Sequence, residues 1–176
     1  MNFVATPLAG AFVLESTPLQ DERGFFARTF CREEFSKRGL NPDVSQCNTS
    51  FNRHRGTLRG LHFQAAPHAE AKVVRCTQGS IWDVIVDLRA ESGTFRNWFG
   101  IDLSSESRNA LYIPEGCAHG FQTLTDHAEV LYMMSESYHP ESARGVLWND
   151  PVLGIDWPVA NPTISERDRS FPLLTR

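Results

Sequence analysis

The chain has 176 residues, of which 41% are hydrophobic and 22% charged, and its formal net charge is −4. This length supports one substantial hydrophobic core, and the apolar content excludes a disordered chain. The negative charge argues against a nucleic-acid partner, and Asp83 and Asp87 interrupt the longest apolar run, so no segment is expected to span a membrane. We therefore expect a single domain over residues 1–176.

The amino-terminal stretch, residues 1–30, is typical of strands and turns and lacks the basic start of a signal peptide. The chain has four cysteines, without any C-x-x-C spacing: Cys31, Cys47, Cys76 and Cys117. Without a secretion signal, such cysteines are expected to be reduced. The sequence therefore predicts a cytoplasmic protein.

Positive charge is concentrated in one segment of the chain. From Arg23 to Arg75 there are ten Lys or Arg and four Asp or Glu, whereas the remainder has seven and seventeen. A cationic segment in an acidic protein favours a compact anionic ligand over a long polyanion. The alternative is that folding interleaves the two segments and evens out the field.

Short strand-like runs, separated by Gly, Pro, Asn or Asp, recur as far as Asp156 and predict an all-β sandwich or barrel. One early helix is predicted in CREEFSKRG, residues 31–39, with its end at Gly39. The run WDVIVDL alternates cleanly, which places Asp83 and Ile85 on one strand face. The tail, residues 157–176, is rich in turns with room for a short helix.

The run GTLRGLHFQ, residues 56–64, raises a geometric question about Arg59 and His62. In an ideal strand these two side chains point to opposite faces. They can serve one cavity only if the strand bulges or ends near Gly60, a residue that permits it. His62 by itself is either a structural histidine or a general base, because imidazole titrates near neutral pH.

Two further strand positions carry polar groups among apolar neighbours. Lys72 shares a predicted face with Val74 and Cys76, so its ammonium needs a partner or an anionic ligand unless it snorkels to a sheet edge. Tyr132 lies in EVLYMMSES on the same face as Val130. A buried phenol is either a hydrogen-bonded core group or a proton donor.

The run IPEGCAHGF has a P-x-G-x-x-H pattern that ends at His119. This pattern resembles the turn in cupin barrels whose histidine points into the barrel, commonly as a metal ligand. The other cupin ligands normally begin with H-x-H, but here His62 is followed by Gln64. An amide in place of imidazole argues against a tight transition-metal site, so a barrel without a metal is predicted.

Over nearly its whole length the chain resembles the dTDP-4-dehydrorhamnose 3,5-epimerase family. The resemblance is carried by spaced segments in one order: DERGFFARTF, QCNTSFNRHRGTLRGLHFQ, EAKVVRCTQGSIWDVIVDLR, LYIPEGCAHGFQTL, EVLYMMSESYHP, WNDPVLGIDWP and SERD. It implies a double-stranded β-helix (cupin-type jelly roll) with a few short helices. It also implies a homodimer that acts on a nucleotide-diphosphate sugar without metal or organic cofactor.

The resemblance assigns catalytic roles to four residues. His62 is similar to the base, Asp168 to the carboxylate that orients it, Tyr132 to the acid on the opposite sugar face, and Lys72 to the lysine near the C4 oxygen. Residues implied in substrate binding are Arg23, Phe26, Arg28, Gln46, Asn48, Arg59, His119, Tyr138 and Arg167. The resemblance also implies that the amino-terminal strands, with Arg23 and Phe26, reach the partner subunit's site.

The implied reaction is epimerisation at C3, C5 or both of a 4-keto-6-deoxy sugar, in deoxysugar biosynthesis of the rhamnose type. Three alternatives stay open: a 3,4-ketoisomerase of the same fold, a non-catalytic sugar-nucleotide binder and a metal-dependent cupin. Two positions depart from the family pattern, because Arg28 and Ala143 stand where Glu is usual. Both lie near the nucleotide in the family, so the identity of the base is left open, as is the sugar.

Overall fold

The computed structural model describes residues 1–174. Its two helices are short: α1 (Arg32–Ser36) has five residues and α2 (Glu166–Arg169) has four. No helix within the described residues has the length and apolar character needed to cross a membrane. The predicted helix at 31–39 is therefore confirmed but shorter, and Gly39, at φ +69°, follows it.

Two antiparallel sheets contain eleven of the strands. The front sheet has, in spatial order, β1 (Asn2–Ala5), β2 (Phe12–Glu15), β10 (Ala110–Ile113), β7 (Lys72–Gln78), β12 (Ala128–Met134) and β5 (Gln46–Asn52). The back sheet has β13 (Ala143–Gly145), β6 (Leu58–Gln64), β11 (Cys117–Thr123), β8 (Ser80–Asp87) and β9 (Trp98–Ser104). Neighbours in each sheet are mostly distant in sequence, as in a jelly roll, so the predicted all-β cupin-type fold is confirmed.

The alternation of β8 explains how the back sheet is buried on both faces. Ile81 and Ile85 belong to a core cluster that also takes residues from the front sheet. Val84 and Val86, on the other face, pack in a second cluster with Ile155 from the carboxyl-terminal region. Because both faces are covered, the inner side of β8 is dry enough to perturb any ionisable group there.

The predicted irregularity near Gly60 is present. His119 in β11 pairs with His62, whereas Phe121 pairs with Arg59, so the register shifts between these two pairs. Gly60 has φ +127°, and a Cβ there would lie 2.5 Å from the Cα of Gly120. Only glycine fits this approach, and the shift turns the side chains of β6 so that Arg59 and His62 line the same cavity.

A separate hairpin, formed by β3 (Leu19–Asp21) and β4 (Gly24–Phe26), projects from the amino-terminal region. Its apolar residues are unusually exposed: 74% for Leu19 and 75% for Phe26. The two strands before it, β1 and β2, pair within the front sheet of the same chain. The hairpin thus lies outside both sheets of its own chain, and its packing on a partner subunit stays a prediction.

Candidate active site

A cavity of about 490 Å³ opens between the two sheets. This volume is typical of small-molecule sites. The front sheet contributes Lys72, Tyr132 and residues of β5, while the back sheet contributes Arg59, His62 and His119. The remaining lining residues are Phe63, Gln64, Glu70, Phe121, Met134, Tyr138, Ala143, Arg144 and Arg167.

His62 on β6 is paired with Asp168 on helix α2. Asp168 Oδ1 lies 2.8 Å from His62 Nε2, and Oδ2 accepts a hydrogen bond of 3.2 Å from the backbone N–H of Gly60. Burial raises the pKa of Asp168, but the hydrogen bonds from His62, Gly60 and Ser165 outweigh it and hold the pKa below its usual value. An ionised carboxylate only accepts, so His62 Nε2 donates and Nδ1 is left as the basic nitrogen.

Tyr132 approaches the cavity from β12 in the front sheet, across from His62 in the back sheet. Burial raises the pKa of the Tyr132 phenol, and the nearby charge of Asp83 raises it further, against the opposing effects of Ser50 and Arg59. The phenol therefore keeps its proton throughout the neutral range. A protonated phenol on one sheet and, on the other, an imidazole whose Nδ1 is left unpaired by Asp168 can act as an acid–base pair.

Lys72 lies on β7, which is an interior strand of the front sheet, so it does not snorkel to a sheet edge. Its Nζ is 3.0 Å from Glu70 Oε1, and both side chains are only 6% exposed. Nζ also donates to the backbone carbonyl of His62 at 3.4 Å. An ammonium has three N–H donors, so one remains for a ligand in the cavity.

His119 forms a second histidine–carboxylate pair, and in this pair both side chains are buried. Its Nε2 is 2.7 Å from Asp83 Oδ1, and neither side chain is more than 5% exposed. Burial raises the pKa of Asp83, although His119 and Lys72 lower it in part. The ring of His119 also contacts Tyr132 edge to face, with centroids 6.1 Å apart. His119 thus lines the cavity beside the phenol.

The structure brings most of the sequence-predicted binding residues to this cavity. Six of the nine line it: Gln46, Asn48, Arg59, His119, Tyr138 and Arg167. The other three lie outside the cavity of the same chain: Arg23, Phe26 and Arg28. Arg23 pairs with Asp21 in the hairpin, and Arg28 pairs with Glu34 at 3.0 Å. Their contact with a ligand stays a prediction that requires a partner subunit.

Sequence reasoning missed the partners of the catalytic candidates. Glu70 pairs with Lys72, and Asp83 pairs with His119. Asp83 shares a face of β8 with the buried Ile85. This alternation could have predicted a pairing for Asp83, because a buried carboxylate needs a partner. Gln64, which stands where cupins place a second histidine, instead joins two loops: it donates to the carbonyls of His68 and Ser137 at 3.1 Å.

Comparisons with known proteins agree with this geometry. The family model described as dTDP-4-dehydrorhamnose 3,5-epimerase matches residues 5–176. Among curated relatives, the dTDP-4-dehydrorhamnose 3,5-epimerase of Shigella flexneri is 42% identical, covering 96% of this chain and 93% of its own length. That of Methanothermobacter thermautotrophicus is 46% identical, covering 98% and 94%.

Solved structures give the same result. The dTDP-4-dehydrorhamnose 3,5-epimerase of Elizabethkingia anophelis superposes with a TM-score of 0.96 at 40% identity, covering 98% of this chain and 96% of its own. That of Bacillus anthracis, with TDP and PPi bound, has a TM-score of 0.94 at 42% identity and covers 98% and 99%. The chain therefore belongs to the dTDP-4-dehydrorhamnose 3,5-epimerase family.

Proposed function

We propose that this chain inverts C3, C5 or both in a nucleotide-diphosphate-linked 4-keto-6-deoxy sugar. The observation that carries the proposal is the position of His62 and Tyr132 on facing sheets of one cavity. The C–H bonds beside a C4 ketone are acidic, because the resulting carbanion delocalises onto the oxygen as an enolate. Removal of a proton from one face and its return from the other inverts the carbon.

Each step has a suitable group. His62, oriented by Asp168, removes the proton, which typically contributes about 10²–10⁴-fold to the rate. The free N–H donor of Lys72 stabilises the enolate oxygen, worth about 2.7–4 kcal/mol by analogy with an oxyanion-hole donor. Tyr132, whose raised pKa keeps it protonated, returns a proton to the opposite face. No step requires a metal or an organic cofactor.

The nucleotide diphosphate is bound by the cationic rim of the cavity. Arg59 and Arg167 supply positive charge, and Tyr138, 55% exposed, offers an aromatic face for a base. The solved relative from Legionella pneumophila is in complex with dTDP-4-keto-L-rhamnose, which supports a substrate of this class. Thermal shift measurements with dTDP, CDP, GDP and UDP test the base; a clear preference for dTDP would show that Arg28 and Ala143 leave thymidine recognition intact.

The experiment that tests the reaction is proton NMR in D₂O with dTDP-4-keto-6-deoxyglucose. Epimerisation predicts deuterium at C3, C5 or both, together with the inverted product. A 3,4-ketoisomerase would move the ketone to C3 and place deuterium at C4, whereas a non-catalytic binder would label no ring carbon. Loss of labelling in His62→Ala, with nucleotide binding retained, separates catalysis from binding. Absence of any labelling by the native chain on this and other nucleotide sugars would overturn the proposal.

We also propose that the functional unit is a homodimer in which the hairpin of one subunit completes the site of the other. The exposure of Phe26 and the position of Arg23 outside its own cavity support this arrangement. Mixing two inactive variants, His62→Asn and Arg23→Ala, tests it. Random reassortment would restore about a quarter of the native sites, because half of the dimers are mixed and each has one intact site. No recovery after exchange would contradict the shared site.

A cytoplasmic location is the remaining part of the proposal. All four cysteines are free in the structure, and Cys76 and Cys117 are buried as thiols. Burial raises the pKa of Cys76 to about 11 and that of Cys117 to about 12, so both stay protonated and unreactive. This pattern is compatible with a reducing compartment. Fractionation of the native host with an activity assay checks it.

A further inference from the structure

Three side chains with metal-ligand atoms lie together outside the cavity. They are His68, in the loop between β6 and β7, and His139 and Glu141, in the loop between β12 and β13. Their ligand atoms all lie within 4.8 Å of one another. His139 Nδ1 is 3.2 Å from Glu141 Oε1, and His68 Nε2 is 4.0 Å from the same oxygen. None of the three has a role in the proposed reaction.

The two loops are held in place by buried Gln64, so the cluster has a fixed frame. Gln64 is 3% exposed, and its Nε2 donates to the carbonyl of His68. Its Oε1 accepts a hydrogen bond of 2.6 Å from the backbone N–H of His139. One amide therefore fixes the backbones that carry both imidazoles. Ligands on a preorganised frame lose less conformational freedom when an ion binds.

Two imidazoles and a carboxylate form a donor set suited to Zn²⁺ and to neighbouring divalent transition metals. The two rings now stack with centroids 3.5 Å apart and planes at 7°. Ligand atoms about 2.0–2.1 Å from a tetrahedral zinc lie about 3.3 Å from one another. The three ligand atoms lie within 4.8 Å of one another, so rotation of the side chains is enough to bring them to these distances. Each histidine is 31% exposed, which allows that rotation and admits a water as fourth ligand.

We propose that His68, His139 and Glu141 form a binding site for a divalent transition-metal ion, Zn²⁺ above all, that cross-links the two loops. The ion is separate from the epimerisation chemistry, because none of its three ligands lines the cavity. The ion would act on the mouth of the cavity, because Tyr138, which lines the cavity, directly precedes the ligand His139. A bound ion restrains this rim and stabilises the folded chain in proportion to its occupancy.

Equilibrium dialysis with Zn²⁺ tests the site, using Cys47→Ser as the parent because the Cys47 thiol is exposed and could bind zinc itself. We expect one zinc per chain and a thermal midpoint that rises with zinc concentration. His139→Gln should weaken binding by about 100-fold, at least as much as loss of an outer-shell partner. The matched control His54→Gln, which changes an exposed histidine elsewhere, should bind as the parent does.

Substitution with Co²⁺ gives a readout independent of affinity. A four-coordinate site produces intense visible absorption in the parent, and this absorption should be missing from His139→Gln. Equal thermal midpoints of the variant and the parent without metal show that the variant folds, since the contact from Gln64 is made to the main chain of residue 139. Absence of stoichiometric zinc binding by the parent, or binding that survives His139→Gln, would overturn the site.

Discussion

Replacing Asp168 with Asn tests whether the carboxylate fixes the tautomer of His62. In the native site Oδ2 accepts from the Gly60 N–H at 3.2 Å, while Oδ1 faces His62 Nε2 at 2.8 Å. An asparagine of the same shape has a single acceptor oxygen. Because the buried Gly60 N–H needs that oxygen, the NH₂ group faces His62 and donates to Nε2. The ring hydrogen then moves to Nδ1, which can no longer accept a proton from the sugar.

The expected loss follows from the proposed role of His62 as the base. A positioned general base contributes about 10²–10⁴-fold, and the corresponding Asp-to-Asn change in a serine protease triad lowers kcat by about 10⁴-fold through the same tautomer change. We therefore expect kcat for Asp168→Asn to fall by about 10²–10⁴-fold. Asp168 does not line the cavity, so the affinity for the nucleotide diphosphate should stay within about threefold of native.

Two measurements separate these effects: deuterium exchange followed by NMR at saturating substrate, and calorimetric binding of the nucleotide diphosphate. Ser165→Ala is the matched control. It removes the side-chain acceptor for the Asp168 N–H at 3.1 Å and the Ser165 contribution to the lowered pKa of Asp168, but it keeps the carboxylate contacts with Gly60 and His62. It should lower the free energy of unfolding by about 0.5–2 kcal/mol with kcat nearly native. If Asp168→Asn keeps kcat within a factor of about ten of native, the tautomer argument is wrong.

Three further substitutions probe the rest of the site. Tyr132→Phe should retain deuterium exchange at the sugar while the yield of inverted product falls by about 10²-fold, as NMR can resolve; equal loss of both would contradict its role as the acid. Lys72→Met should lower the free energy of unfolding in urea by about 3–5 kcal/mol, because Glu70 loses its buried cation, and adding Glu70→Gln should recover part of this. Gly60→Ala should destabilise the fold far more than Gly24→Ala, since both have φ near +127° but only Gly60 lies against the backbone of the neighbouring strand β11; equal melting temperatures would refute this.

The alternation of polar and apolar residues over short stretches of sequence was sufficient to place the cavity residues on their strands. Alternation put Lys72 and Tyr132 on inward faces, and the glycine in GTLRGLHFQ signalled the register shift that unites Arg59 with His62. These features depend on a few neighbouring residues and on the period of a strand. Such information is fully present in a short window of sequence.

The partners of these residues depend on long-range register, which no short window contains. Asp168 is 106 residues away from His62, and only the family resemblance linked them. His68 and His139 meet because two loops converge on Gln64. In the sequence, Gln64 was notable only because it replaces the second histidine of the cupin H-x-H pattern. Arg23 and Phe26 lie outside their own cavity, so even the folded chain does not contain all of the predicted site.

The jelly roll itself accounts for the stereochemistry of the proposed reaction. His62 and Tyr132 belong to different sheets and line one cavity. In the proposed reaction, a planar enolate lying between the sheets would expose one face to each. A single strand could not place base and acid on opposite faces of one ring, because its inward side chains all approach from the same side. On this proposal inversion follows from the two-layer architecture, and the choice between C3 and C5 follows from the position of the ring between His62 and Tyr132. Mutations along the nucleotide rim should accordingly change the ratio of labelling at the two carbons, whereas mutations of the base or the acid should depress labelling or inversion at both.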